Sequence, residues 1–230
     1  MFTFALAWGW TSEAEASVRG RKAVPDLRNP KPGRRSAATG KVKIPVTLHF
    51  ATARGEMLTS PWRVRRWIAR ANEALAPAGI EVDVIAMRKL PAGNRSITRR
   101  RDRHRLAAYA PNDGTVHIFV AEDLDLGVMS RLGRRVRGLH WRYYGPKRDI
   151  RRREYVVVTR EAPDTTLAHE IGHLLGLRHS VAPDNIMCSC RTSPSSFTQV
   201  QTQQLRSAAH AWVAGERGAS LRLADRRRRR

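Results

Sequence analysis

The 230-residue chain predicts an α+β fold, and three observations carry that prediction. Apolar residues alternate with period two in several short segments, the mark of half-buried strands. Three longer segments repeat their apolar residues at helical spacing. Each of these has a start or stop signal beside it, in Ser60-Pro61, Thr165-Thr166, Gly176 and Thr198. The length fits one domain with tails, and 41% hydrophobic content is enough to fill a core.

The elements follow in chain order. Lys41–Phe50 alternates Val42, Ile44, Val46 and Leu48 and is read as a strand. Ser60 then caps a helix with Pro61 in its first turn. Val64, Trp67, Ile68, Ala71 and Leu75 form its apolar stripe, and Pro77 and Gly79 end it. Ile80–Met87, Thr115–Ala121, Gly138–Tyr144 and Glu154–Thr159 are four further predicted strands. Pro163-Asp164-Thr165-Thr166 opens the next helix, with Asp164 or a threonine as N-cap. Leu167, Ile171, Leu174 and Leu175 are its apolar face and Gly176 its stop. Thr198–Ala214 is a last helix, with Val200, Leu205, Ala208, Ala209 and Trp212 facing inward.

The chemistry is concentrated in His169-Glu170-Ile171-Gly172-His173-Leu174-Leu175-Gly176-Leu177-Arg178-His179, which reads H-E-x-x-H-x-x-G-x-x-H. Residues four apart share a helix face, so His169 and His173 present both rings to one point. Glu170 stands one residue after the first imidazole, beside that point and outside the ligand set. Gly176 accepts a left-handed conformation and turns the chain, which returns His179 toward the same point. Three protein ligands with a fourth position left for water is the arrangement of a catalytic zinc ion.

Downstream, Asp184-Asn185-Ile186-Met187 follows the third histidine and its neighbour Ser180. A long histidine motif followed by a methionine turn resembles the metzincin clan of zinc peptidases, and the spacing is most similar to the matrixin branch. The resemblance spans roughly Lys41 to Gly215. It implies a metzincin-like zincin domain: a twisted five-stranded mixed sheet, two long helices, and a small C-terminal subdomain ending in a helix. It implies one zinc ion on His169, His173 and His179, Glu170 as general base, and Met187 as an apolar floor that is not a ligand. It also implies that Gly138, Leu139, His140 and Trp141 lie on an antiparallel edge strand along which an extended peptide pairs. The loop Cys190–Ser196 would wall the specificity pocket. Two features depart from relatives of the clan: Ser189 stands where some carry a tyrosine, and no cysteine precedes Cys188 to serve as a latency switch.

The 43 Lys and Arg residues against 20 Asp and Glu give a net charge of +23. Basic clusters lie at Arg99–Arg105, Arg131–Arg137, Lys147–Arg153 and Arg226–Arg230. Such a field attracts anionic partners. No helix-turn-helix, zinc finger or aromatic-interleaved nucleic-acid motif accompanies it. Asp123-Leu124-Asp125-Leu126-Gly127 has too few oxygen ligands for a calcium loop and reads as a surface turn. Cys188 and Cys190 stand too close in a C-x-C pair for an easy disulfide, which leaves open free thiols, a strained bridge or simple packing.

Residues 1–16 read as an atypical or truncated signal segment, with an apolar Phe2–Trp10 and Ala14-Glu15-Ala16 but no basic leader. The apolar run is too short to span a membrane, so no transmembrane segment is expected. Residues 17–40 read as a basic flexible linker, 41–215 as the peptidase domain, and 216–230 as a basic disordered tail. The expected function is zinc-dependent endopeptidase action on extended protein or peptide substrates, with secretion implied by the resemblance. Two alternatives stand beside it: a catalytically silent metzincin-like binding domain, and a basic nucleic-acid-binding module with structural zinc. The sequence carries no signal for oligomeric state.

Overall fold

A computed structural model describes residues 40–91, 93–127, 136–190 and 196–215. Five strands form one mixed sheet in the order β4-β1-β6-β9-β8. These are β1 (Val42–Phe50), β4 (Ile80–Lys89), β6 (Val116–Ala121), β8 (Gly138–Arg142) and β9 (Glu154–Thr159). The first four in spatial order run parallel, and β8 pairs antiparallel with β9 at the end of the sheet. Short strands β2 (Thr52–Ala53) and β3 (Glu56–Met57) form a hairpin. Strands β5 (Ser96–Ile97) and β7 (Asp123–Leu124) form a small parallel pair.

Four α-helices are present among the described residues. Helix α1 (Pro61–Leu75) starts as the sequence predicts, with the Ser60 hydroxyl accepting the Arg63 N–H. Its buried residues are Val64, Trp67, Ala71 and Leu75. Gly79, at φ 68°, turns the chain into β4 after a single 3-10 turn. Helix α3 (Thr166–Leu174) carries the histidine motif, and α4 (Gln199–Val213) is the last. The fold is α+β with a five-stranded mixed sheet, as expected.

The sheet separates two apolar clusters. Ile44, Val46, Leu48, Ile118, Val156 and Val158 face α1, α3 and α4. Phe119, Tyr155 and Val157 face the other way, with Ile97, Leu106 and Ala107. The second cluster needs α2 (Arg100–Ala107), a helix where the sequence shows only a basic cluster. Its arginines hide the helical period, and only Leu106 and Ala107 supply apolar burial. Asp102 starts it, accepting the N–H groups of Thr98 and Arg99 at 3.2 and 2.9 Å.

Other expectations are corrected locally. Asp164 is no N-cap; it pairs with Arg66 on α1 at 2.6 Å. Thr165 occupies the cap position with helical backbone angles and no side-chain cap bond. Val200 is 73% exposed, while Leu205, Ala208, Ala209 and Trp212 are buried as expected. It sits in the first turn of α4, outside the stripe that meets the sheet. The fourth predicted strand ends at Arg142 rather than Tyr144. Residues 1–39, 128–135, 191–195 and 216–230 lie outside the described residues, so the signal, linker and tail readings, most of the specificity-loop reading and two basic clusters do as well.

Candidate active site

Helix α3 is held from both ends. The Trp67 indole and the Arg63 guanidinium on α1 donate to the Ala162 carbonyl, each at 3.2 Å, fixing the loop that leads into it. At its C-terminus the Leu177 N–H donates to the Gly172 carbonyl at 2.8 Å, and the Gly176 N–H to His173 at 2.9 Å. This pair of bonds is a Schellman turn, with Gly176 left-handed at φ 91°. The turn has a second effect. The Leu177 carbonyl accepts from His173 Nδ1 at 2.9 Å, so helix termination also sets that ring's tautomer.

His169 is oriented in the same way, its Nδ1 donating to the Ile186 carbonyl at 2.6 Å. Both rings then keep an unprotonated Nε2. His173 Nε2 lies 3.1 Å from His169 Nε2 and 3.0 Å from His179 Nε2. Nitrogens around a tetrahedral zinc stand about 3.3 Å apart for bonds of about 2.0–2.1 Å, so the donor set fits such an ion. No other group of three or more His, Cys, Asp or Glu side chains among the described residues gathers in this way. Burial disfavours the charged imidazolium and pushes His173 down to about 4; it lowers His169 as well. Neutral imidazoles are what a metal ion requires.

Glu170 stands beside this triad and is only 6% exposed. Burial raises its carboxyl to about 8, against the opposing hydrogen bond from the His140 backbone. Gly138 on β8 lies against it: a Cβ there would come within 2.5 Å of Glu170 Oε1 and 2.6 Å of Thr166 Cγ2. The edge strand therefore abuts the carboxylate only because residue 138 is glycine. The four edge-strand residues divide between the faces. His140 points to the α3 side, its Nε2 3.5 Å from Glu154 Oε2. Leu139 and Trp141 pack on the opposite cluster.

Met187 is fully buried beneath α3. A Cβ on Gly172 would meet its Sδ at 2.5 Å, so the methionine occupies the space that Gly172 leaves open. The turn is anchored by Asn185, which the sequence reading quoted without a role. Its Oδ1 accepts the Met187 N–H at 2.9 Å, and its Nδ2 donates to Gln201 on α4 at 2.8 Å. Gln201 in turn forms a capping box with Thr198. The T-x-x-Q pattern from Thr198 was the available signal for that anchor. Cys188 and Cys190 are joined in a disulfide. The turn brings their Cα atoms to 5.1 Å, within the range a bridge needs, which two residues of extended chain would exceed.

Known proteins share this fold. The matrixin peptidase family model matches residues 107–212. Metalloproteinase-II from Bacteroides fragilis superposes with a TM-score of 0.53 at 15% identity, over 74% of this chain and 54% of that one. The chain thus spans about half the length of that structure. Mirolysin superposes with a TM-score of 0.54 at 14% identity, covering 79% and 97% of the two chains. Promirolysin from Tannerella forsythia does so with 0.53 at 14% identity, covering 76% and 84%. A search of curated proteins returns no match. In fold and in histidine motif the chain resembles the metzincin-type zinc metallopeptidases, and over residues 107–212 it matches the matrixins among them.

Proposed function

We propose that this chain is a zinc-dependent endopeptidase acting on extended peptide segments. One observation carries the reading: three imidazole Nε2 atoms converge while a buried carboxylate, Glu170, stands beside them. His169, His173 and His179 would hold the ion. Zinc bound there supplies Lewis acidity toward water and toward a carbonyl oxygen. Glu170 takes the proton from a water molecule as its oxygen attacks the scissile carbonyl carbon. It then delivers that proton to the leaving amine as the C–N bond breaks. Among the described residues strand β8 ends the sheet order with one side unpaired, so an extended substrate adds to it by main-chain hydrogen bonds.

The structural-zinc alternative needs a fourth protein ligand, for which Cys188 and Cys190 are the nearby candidates. Their disulfide leaves neither thiolate free. The bridge also supports an extracytoplasmic location, where disulfides persist. Among the described residues no helix is long and apolar enough to cross a membrane.

The test is Glu170→Ala in zinc-loaded protein. It should retain one zinc per chain by metal analysis, yet lose peptide cleavage by about 10²–10⁴-fold. Undiminished cleavage would overturn the mechanism, and wild-type protein that cuts no peptide would overturn the function.

A further inference from the structure

The far end of β8 holds a second recess that the proposed chemistry does not use. It has a volume of about 240 Å³ and is lined by Arg100, Arg103 and His104 of α2 and by Trp141 to Gly145 at the end of the edge strand. That is below the roughly 300–1,000 Å³ of typical small-molecule pockets and is of side-chain size. Its walls are built. Trp141 stacks on Tyr155 with centroids 4.8 Å apart, and His104 meets Tyr143 edge-on at 5.2 Å. The Tyr155 hydroxyl ties α2 to the sheet by donating to the Arg103 carbonyl at 2.7 Å. Tyr143 is backed closely by Gly145, where any Cβ would collide with its ring and hydroxyl.

Three arginines line the recess. Arg142 already has Glu154 at 3.8 Å. Neither Arg100 nor Arg103 has a carboxylate partner among the described residues. The pKa of His104 is lowered first by burial and then by Lys147, Arg100 and Arg103, against the opposing charge of Asp149.

Position supplies the rest. Gly138 abuts Glu170, and Arg142 is four residues along the same strand. At about 3.3 Å per residue Arg142 stands roughly 13 Å along the strand from Gly138, and the recess opens on the face opposite α3. A peptide strand added to β8 turns every second side chain toward the face that carries Trp141. Resting on the peptidase reading above, we propose that this recess is a subsite for an acidic side chain of the substrate. It would select Glu or Asp roughly three to four residues from the scissile bond.

The experiment uses full-length, zinc-loaded protein and pairs of extended peptides differing by Glu or Gln at one position. Glu should raise kcat/KM about tenfold at a single position three or four residues from the cut. The doubly substituted variant Arg100→Gln, Arg103→Gln should bring the pair within about twofold, leaving the Gln peptide unchanged. Arg100→Glu with Arg103→Glu should reverse the preference toward Lys. A wild type with no acidic preference there, or a Gln peptide that slows in step with the Glu peptide, overturns the subsite. Fluorescence anisotropy of a labelled Glu peptide on the Glu170→Gln variant separates the two readings. Arginine-dependent binding without any wild-type cleavage keeps the subsite and sinks the peptidase. Cleavage with arginine-independent rates and binding does the reverse. Binding of an oligonucleotide or anionic vesicle through these arginines, with no Glu-peptide binding, also overturns the subsite.

Discussion

Two groups of histidines sit on this sheet and use their ring nitrogens differently. His49 on β1 and His117 on β6 are buried, whereas His169 and His173 are half-buried and His179 is exposed. In the first four, burial lowers the pKa. The partners differ. His49 Nε2 meets His117 Nδ1 at 3.0 Å, and His117 Nε2 is satisfied by Thr115 and Asp113 at 3.1 and 3.2 Å. That pair is closed on itself. In the triad each anchored ring donates its Nδ1 proton to a backbone carbonyl, and the Nε2 atoms face one another as bare acceptors. The direction of the pKa shift does not distinguish a ligand set from a structural pair; the hydrogen-bond partners do.

The largest expected contrast is functional. His173→Ala should abolish zinc retention on dialysis and lower cleavage at least about a thousandfold. His49→Gln should keep one zinc and cleavage within about threefold, since it changes packing and not the ligand set. Metal analysis with peptide kinetics checks both, and zinc loss in His49→Gln would erase the distinction.

Next is Gly172→Ala, which drives a Cβ into Met187 Sδ. It should destabilise the fold by about 1–3 kcal/mol through overpacking. The double variant with Met187→Val should recover part of that loss in denaturant unfolding. Equal losses in single and double variants would show that Met187 is not what Gly172 makes room for.

The smallest effect is the pH dependence of the closed pair. His49 has a folded pKa of about 3 against 6.5 unfolded, from burial first and then His117 and Arg88. Below pH 6.5 the unfolded chain takes a proton that the folded chain refuses. Stability is therefore full above pH 6.5 and falls as pH drops toward 3. The slope is about 1.4 kcal/mol per pH unit, or about 2 kcal/mol by pH 5. Urea unfolding of zinc-free protein at pH 7.5, 6 and 5 should show a shallower slope for His49→Gln; an unchanged slope would remove His49 from the account.

Legibility in the sequence followed the physics of each segment. All five strands of the main sheet could be found because each alternates or runs apolar between turn residues. The zinc-motif geometry was legible because the spacing of His169, His173, Gly176 and His179 is itself the geometry. Helix α2 was hidden, since arginines give no apolar period and its burial comes from two residues near its end. Val200 was misplaced because a residue in a first turn can match the period and still lie beyond the partner surface. The recess could not be read at all. It joins α2 to the end of β8, and only the fold brings Arg103 beside Trp141.

The bond between Asn185 and Gln201 has a consequence in time. Synthesis runs from the N-terminus at about 5–20 residues per second, so β1, α1, β4 and β6 exist before His169 is made. The partner of Asn185 is made only with α4. Every strand of the sheet is thus synthesised a few seconds before the residue that anchors the methionine turn.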